Sequence, residues 1–296
     1  MSLTETAHAK INLYLHVTGK RPDGYHLLDS LVVFAGAADR LTHEASEAPL
    51  SLELTGPFGQ KLASEATDDN LVIRAARLLT QGMDTPLTGR LILEKNLPVA
   101  SGIGGGSADA AATLRLVDRV LALGTPEPRL LSIAEQLGAD VPVCLLQKPT
   151  LMRGIGEQLD PAPALPACGI LLVNCGEAVS TPAIFKARNA AFSSDAILPA
   201  AWPTAAAMTD DLQRLSNDLE PPACALRPSI SIVLDAIGAL PNCLLSRMSG
   251  SGATCFGLFD TAESAEAAAT QLRQEQQNDW WIWAGPVLPS PDAPSA

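Results

Sequence analysis

The chain has 296 residues, 47% of them hydrophobic and 18% charged, and a formal net charge of −12. That length supports a sizeable core and two lobes, while the acidic balance argues against nucleic acid and anionic membranes as partners. No run approaches the roughly 18 apolar residues of a membrane-spanning helix, the first residues lack a signal-peptide pattern, and the six cysteines form no C-x-x-C pair, so the expectation is a cytoplasmic protein with reduced thiols rather than zinc or disulfides.

In chain order, residues 11–17 alternate apolar and polar side chains as a half-buried strand does. Residues 28–35 and 50–54 read as two more strands, 70–80 as a helix, and 90–95 as a strand centred on Leu91, Ile92 and Leu93. A glycine-rich stretch follows, then an Ala/Leu-rich helix over 108–123 with Gly124 as its C-cap. A short helix covers 128–137 and a turn 138–142. The prolines at 161, 163 and 166 mark a connector that divides the chain into an N-terminal lobe, 1–160, and a C-terminal lobe, 161–296. Beyond it the pattern predicts a buried strand at Gly169–Asn174, a variable loop over 187–208, helices near 209–217 and 228–239, and a second glycine-rich turn at 249–253. A strand at Thr254–Phe259, a helix capped by Asp260 and Glu263 and running to about Gln276, a strand at 280–284 and a loose tail after Pro286 complete the chain. Strands and helices mix without a strict βαβ rhythm, which predicts an α+β fold.

The most informative stretch is Pro98-Val99-Ala100-Ser101-Gly102-Ile103-Gly104-Gly105-Gly106-Ser107-Ala108-Asp109. Four glycines in five positions allow positive φ and close approach of a ligand to the backbone. The loop opens a helix whose first N–H groups and positive dipole end make an anion site, and Asp109 suits a dipole-complementing carboxylate near the helix start. The spacing matches neither G-x-G-x-x-G, which would need glycine at Ser107 or Asp109, nor G-x-x-x-x-G-K-[ST]. A glycine turn that merely packs a helix on a strand is the bland alternative.

Three other places carry chemistry. Lys10 and Asn12 share one face of a strand, where they could steady a transferring phosphoryl group or simply form a solvated edge. Asp140 lies in a stretch with little other charge, as a base for a hydroxyl or as a turn aspartate. Arg21-Pro22-Asp23-Gly24-Tyr25-His26 is a turn ending in an aromatic–imidazole pair suited to a planar polar ring.

Together these segments resemble the GHMP small-molecule kinases, over nearly the whole chain from Ala9 to about Leu288. The resemblance rests on the strand around Lys10, the glycine loop at 98–107 and the second glycine loop at 249–253. Narrower signals are 21–26, 138–142, Ser180-Thr181-Pro182 with Phe185-Lys186, and Asn217-Asp218-Leu219-Glu220. These point to the branch that phosphorylates the 2-hydroxyl of 4-diphosphocytidyl-2-C-methyl-D-erythritol with ATP. The resemblance implies a two-lobed α+β fold, with a ribosomal protein S5 domain 2-like N-terminal lobe and a ferredoxin-like C-terminal lobe. It implies Asp140 as base, Lys10 as the lysine that acts on the hydroxyl or the γ-phosphate charge, and Asn12 as a positioning residue. It sets cytosine between Tyr25 and Phe185, with His26 on the ring edge and Thr181 nearby. Asn70 and Lys95 match adenine-side positions. Pro98, Gly102, Gly104, Gly105, Gly106, Ser107 and Ala108 belong to the phosphate loop, and Mg²⁺ comes with the nucleotide on ligands left unassigned. Ile103, Ala108 and Ser251 depart from the commonest residues, Leu, Ser and Thr. The competing readings are a homoserine- or mevalonate-type kinase, a non-catalytic binding module and a dinucleotide oxidoreductase.

Overall fold

The computed structural model describes residues 2–62, 67–83, 86–275 and 279–289. The chain forms two units that interleave along the sequence. One comprises Met1–Ala9, Ala38–Val99 and Gly104–Leu146, and the other Lys10–Ala37, Ala100–Ile103 and Gln147–Ala296. Two long strands, β1 (Ser2–Lys20) and β2 (His26–Pro49), contribute to both units, so a single cut in the sequence does not separate them.

In the first unit β2 pairs antiparallel with β4 (Thr88–Glu94), from Arg40 opposite Glu94 to Pro49 opposite Thr88. The short strand β3 (Ser51–Thr55) pairs parallel with β4, and the crossover between them carries α1 (Leu71–Leu79). Alternation in β4 turns Leu91 and Leu93 into the core. Against α1 pack α2 (Gly105–Val120) and α3 (Glu127–Leu137), and α4 (Val141–Leu146) packs on α2. The helix at α2 begins three residues before the alanine run that announces it, because Gly105, Gly106 and Ser107 already take helical backbone. The turn expected over 138–142 ends at Asp140. Val141 and Pro142 open α4, where proline's missing N–H is no loss.

The second unit has a βαββαβ layout. Its sheet runs β10 (Trp281–Pro286), β7 (Gly169–Asn174), β9 (Thr254–Phe259), β8 (Leu245–Met248), all antiparallel. Renumbered within the unit this order is 4-1-3-2, the ferredoxin-like topology. Every residue of β7 and β9 is buried, as central strands covered by helices demand. The helix α8 (Ser229–Gly238) packs on β8 and β9, and α9 (Ala262–Glu275) on β7 and β10. The N-terminal half of β2 pairs in this unit with β5 (Thr150–Gly154), and β5 with β6 (Gln158–Pro161).

Three expectations are corrected here. The cap of α9 is Thr261, whose Oγ1 accepts the Ser264 N–H at 3.2 Å, rather than Asp260. The span 187–208 is irregular only to Thr204, where α6 (Ala205–Leu212) starts, and α5 (Thr181–Ala187) precedes it. The helix near 209–217 is instead α6 followed by α7 (Glu220–Leu226). Gln276 and the tail beyond Leu288 and Pro289 lie outside the described residues.

The irregular span is held down by buried acceptors. The Ser193 N–H donates to Val17 O at 3.0 Å, the Ala196 N–H to Asp29 Oδ2 at 2.6 Å, and the Ser193 hydroxyl to Asp218 Oδ2 at 2.8 Å. Asp218 also accepts from the Val17 N–H at 2.8 Å and the Ser216 hydroxyl at 2.8 Å. Burial alone would raise its pKa, but these donors outweigh it and hold the carboxyl below its ordinary 3.8. A depressed folded value means the stabilisation is present above the ordinary pKa and is lost as pH falls through the folded one. Replacing Asp218 by Ala should therefore cost about 1–3 kcal/mol at neutral pH. Thermal melts of both proteins should converge as pH drops below the carboxylate range; a gap that persists undiminished in acid would mean the charge of Asp218 contributes nothing.

Candidate active site

In the second unit Lys10 lies only 3% exposed on β1, and its Nζ donates to Asn12 Oδ1 at 3.0 Å. The solvated-edge alternative is thereby removed. Asn12 is fully buried; its Nδ2 donates to Ser30 Oγ at 2.8 Å, and its backbone N–H to Ser249 Oγ at 3.1 Å. The Ser249 hydroxyl donates in turn to Gly102 O at 3.0 Å, and the Lys10 N–H to Ile103 O at 3.0 Å. The segment Ala100–Ile103 thus lies against both β1 and the second glycine loop. Gly102 has φ +76°, and a Cβ there would sit 2.7 Å from Gly252 N, so this glycine is required by the fold itself.

The second loop has its own brace. Asn217 Nδ2 donates to Met248 O and Gly250 O, both at 2.8 Å, and Glu220 Oε2 accepts the Met248 N–H at 2.7 Å. Thr181 Oγ1 and Ser251 Oγ share a hydrogen bond of 2.8 Å. His26 and Phe185 stack, with ring centroids 4.7 Å apart and planes at 21°. Tyr25 is 61% exposed. Of the three rings expected around a planar base, His26 lies on Phe185 while Tyr25 stands exposed. Burial, then the charges of Lys20 and Arg188, push the His26 pKa below its usual value, which favours the neutral imidazole.

In the first unit α2 starts at Gly104, a left-handed N-cap with φ +65° and no capping side chain. The helical ladder begins with the Ala108 N–H donating to Gly104 O at 2.8 Å. The N–H groups of Gly105, Gly106 and Ser107 precede it and point out of the helix end. Neither Gly105 nor Gly106 has positive φ. A Cβ at Gly106 would meet only Leu71 Cδ1, at 3.7 Å, and one at Gly105 would approach Lys95 Nζ at 3.6 Å. Side chains fit at both places, so the fold does not ask for these two glycines. A backbone left bare at a helix N-terminus is open to an anion. Pro98 and Ala108 are buried; proline has no N–H, and the Ala108 N–H is used within the helix.

Two expected adenine-side residues have other partners. Asn70 caps α1, its Oδ1 accepting the Val72 N–H at 2.9 Å. Lys95 is 2% exposed; its Nζ donates to Asp39 Oδ2 and, at 2.7 Å, to Asp109 Oδ2. Burial opposes its charge, but Asp109 and Asp39 outweigh this and raise its pKa. The Asn70 amide nitrogen is not used by the cap, whereas Lys95 Nζ is held between two carboxylates. Asp109 serves the buried lysine rather than the open helix end. Asp140, half-buried, stands just before α4, its carbonyl accepting the Cys144 N–H at 3.2 Å.

Residues 70–148 match the model of the GHMP kinases N terminal domain, and residues 177–278 that of the GHMP kinases C terminal domain. The chain belongs to the GHMP kinase family. A relative from Gluconacetobacter diazotrophicus, named 4-diphosphocytidyl-2-C-methyl-D-erythritol kinase, is 56% identical over 292 residues, covering 96% of this chain and 94% of the relative. The crystal structure of a 4-(cytidine 5'-diphospho)-2C-methyl-D-erythritol kinase superposes with a TM-score of 0.78 at 34% identity, covering 96% of this chain and 99% of that one. Homoserine kinase from Cytophaga hutchinsonii gives a TM-score of 0.70 at 17% identity, covering 97% and 95%. At that identity the likeness shows the GHMP kinase fold alone. No described helix is long and apolar enough to cross a membrane.

Asp39, Ser30, Ser249 and Asn217 are site-supporting residues that the sequence did not single out for these roles. Asp39 had a legible signal, a lone acid after the apolar run 31–35 and next to small residues. The two kinds of glycine separate by substitution. Gly102→Ala should lower the melting temperature sharply. Gly106→Ala should leave it equal or higher, since alanine is favoured over glycine in a helix by about 1 kcal/mol, while weakening ADP binding about tenfold or more. Calorimetric titration and thermal melts check both; unchanged ADP affinity in Gly106→Ala would remove the helix end from the nucleotide site.

Proposed function

We propose that this GHMP kinase transfers the γ-phosphoryl group of ATP to the 2-hydroxyl of 4-diphosphocytidyl-2-C-methyl-D-erythritol, giving the 2-phosphate and ADP for isoprenoid precursor synthesis. The observation that carries the substrate is the 56% identity, across 96% of the chain, to a relative named for that reaction. The bare first turn of α2 supports the nucleotide.

Phosphoryl transfer needs positioning and charge stabilisation more than covalent help. The N–H groups at 104–107 hold the ATP phosphates, with Ala108 behind them and Gly102 closing the start of the loop. Lys10 brings a buried ammonium to the transferring group, and Asn12 fixes the direction of that ammonium through its Oδ1. Asp140 takes the proton of the 2-hydroxyl. Bound with the nucleotide, Mg²⁺ would neutralise phosphate charge. Among the described residues no three His, Cys, Asp or Glu side chains gather as a metal cage, and a metal bound mainly by phosphates and water needs none. The hydroxyl of Ser107, half-buried at the third residue of α2, is an oxygen donor suited to it.

Cytosine docks by the exposed ring of Tyr25 and the stacked pair His26–Phe185, with Thr181 nearby. A neutral imidazole keeps one acceptor nitrogen, which can take the cytosine amino N–H. That contact is lost when His26 is charged.

The test is ATP-dependent phosphorylation by the purified protein, offering the diphosphocytidyl alcohol, mevalonate and homoserine in parallel. Transfer to the first alone is expected; transfer only to another alcohol overturns the substrate, and transfer to none favours a binding module. Asp140→Asn should lower kcat by about 10²–10⁴-fold with ADP affinity nearly intact, and a variant that keeps most of its turnover would exclude Asp140 as base. Phe185→Ala should raise KM for the cytidyl substrate about tenfold and leave KM for ATP alone, so an unchanged acceptor KM would take Phe185 out of the site.

A further inference from the structure

The buried group Asp39–Lys95–Asp109 has a geometry that the proposed reaction does not by itself explain. Asp39 is fully buried and uses both carboxylate oxygens as acceptors. Its Oδ1 accepts the backbone N–H of Asn96 at 2.6 Å and of Leu97 at 2.8 Å, and its Oδ2 accepts Lys95 Nζ. Lys95 Nζ continues to Asp109 Oδ2 at 2.7 Å, on the second turn of α2. Residues 95–97 are the chain entering the glycine loop; Asp109 is on the helix leaving it. Gly105 lies directly over the group, its Cβ position 3.6 Å from Lys95 Nζ and 3.9 Å from Asp39 Oδ2.

The backbone of Lys95 is fixed independently, its N–H donating to Thr55 O at 2.9 Å and its carbonyl accepting the Phe58 N–H at 3.1 Å. The two residues that follow, which aim the chain into the loop, donate to Asp39. We propose that Asp39 is the positioning residue of the phosphate loop, tying its entry at 95–97 to its exit at Asp109 through the ammonium of Lys95. This rests on the reading of the first turn of α2 as the ATP phosphate site.

The two acids of the group are not equivalent. Asp109 Oδ1 is buried and accepts no hydrogen bond among the described residues. Burial, opposed by the charge of Lys95, pushes the Asp109 carboxyl above its usual value, and Asp39 adds to the rise. Asparagine at 109 can keep a carbonyl oxygen on Lys95 and turn its amide NH₂ to the side where no donor points. Asparagine at 39 has no such choice. Its NH₂ must face either Lys95 Nζ or the two backbone N–H groups, a donor against donors in a buried place.

Asp39→Asn and Asp109→Asn are compared in the full-length protein by steady-state kinetics. Asp39→Asn should raise KM for ATP about tenfold or more, with a smaller change in KM for the acceptor alcohol, and Asp109→Asn should raise it by a clearly smaller factor. A folded Asp39→Asn protein whose ATP KM stays within about threefold of the parent, or equal effects from the two variants, would overturn the proposal. Amide hydrogen exchange on the unsubstituted protein, with and without ADP, gives a readout that does not depend on a variant folding. ADP should slow exchange at Asn96 and Leu97 together with 105–107, because entry and exit move as one piece. Protection confined to 105–107 would overturn the clamp while leaving the phosphate site standing; no protection at 105–107 would overturn the phosphate site and the clamp with it.

Discussion

An ammonium taken out of water must find its counter-charge close by, and Lys95 finds two carboxylates. Removing a lysine head group and two acids from solvent is costly unless each polar atom meets a partner. Here all but one do: Lys95 bridges Asp39 and Asp109, and Asp39 also takes two main-chain N–H groups. The group fixes the end of β4 against the start of α2. The path of the glycine loop and the direction in which the N–H groups of Gly105 and Gly106 point both follow from that. A hydrophobic replacement would pack as well, but it could not set the direction of two backbone amides.

The second unit holds its glycine loop without a lysine bridging two acids. Its loop at 249–252 is shaped by the Asn217 amide, the Glu220 carboxylate and the Ser249 hydroxyl. The motif Asn217-Asp218-Leu219-Glu220 thereby acquires a physical role. Asn217 and Glu220 hold the loop, while Asp218, between them in sequence, holds the 193–196 span and β1. Neighbouring side chains on a tight turn point in different directions, so one short motif serves two places.

Much of this was legible in the sequence where a residue type has few alternatives. The bounds of β7 and β9 follow from short apolar runs between turn residues, whereas α2, announced by its alanines, ends at Val120 with Leu121 as its cap rather than at 123 with Gly124. The glycine loop stands out because four glycines in five positions are expensive without a reason. What was not legible depends on contacts distant in sequence. Lys95 reads as a ligand-lining lysine until Asp39, 56 residues earlier, is seen to occupy it. The capping of α1 by Asn70 likewise shows only once the chain is folded. The β5 and β6 strands and the helices α5 and α7 are short, and prolines at the first turns of α5 and α7 resemble loop punctuation when seen without the fold. Gly102 and Gly106 look alike in sequence, yet one is required by a backbone packed against it and the other has room for a side chain.

The interleaving of the two units has a consequence for the order in which the protein is made. Chains emerge from the ribosome N-terminus first, and their domains generally fold as units. Segment Lys10–Ala37 belongs to the unit that is otherwise built from Gln147–Ala296. This stretch, with Lys10 and Asn12 on it, leaves the ribosome more than a hundred residues ahead of the strands that complete its unit. The first unit, whose last segment ends at Leu146, has all its residues before most of the second unit has been made. Lys10 is therefore delivered more than two hundred residues ahead of Ser249, whose hydroxyl supports its strand at Asn12.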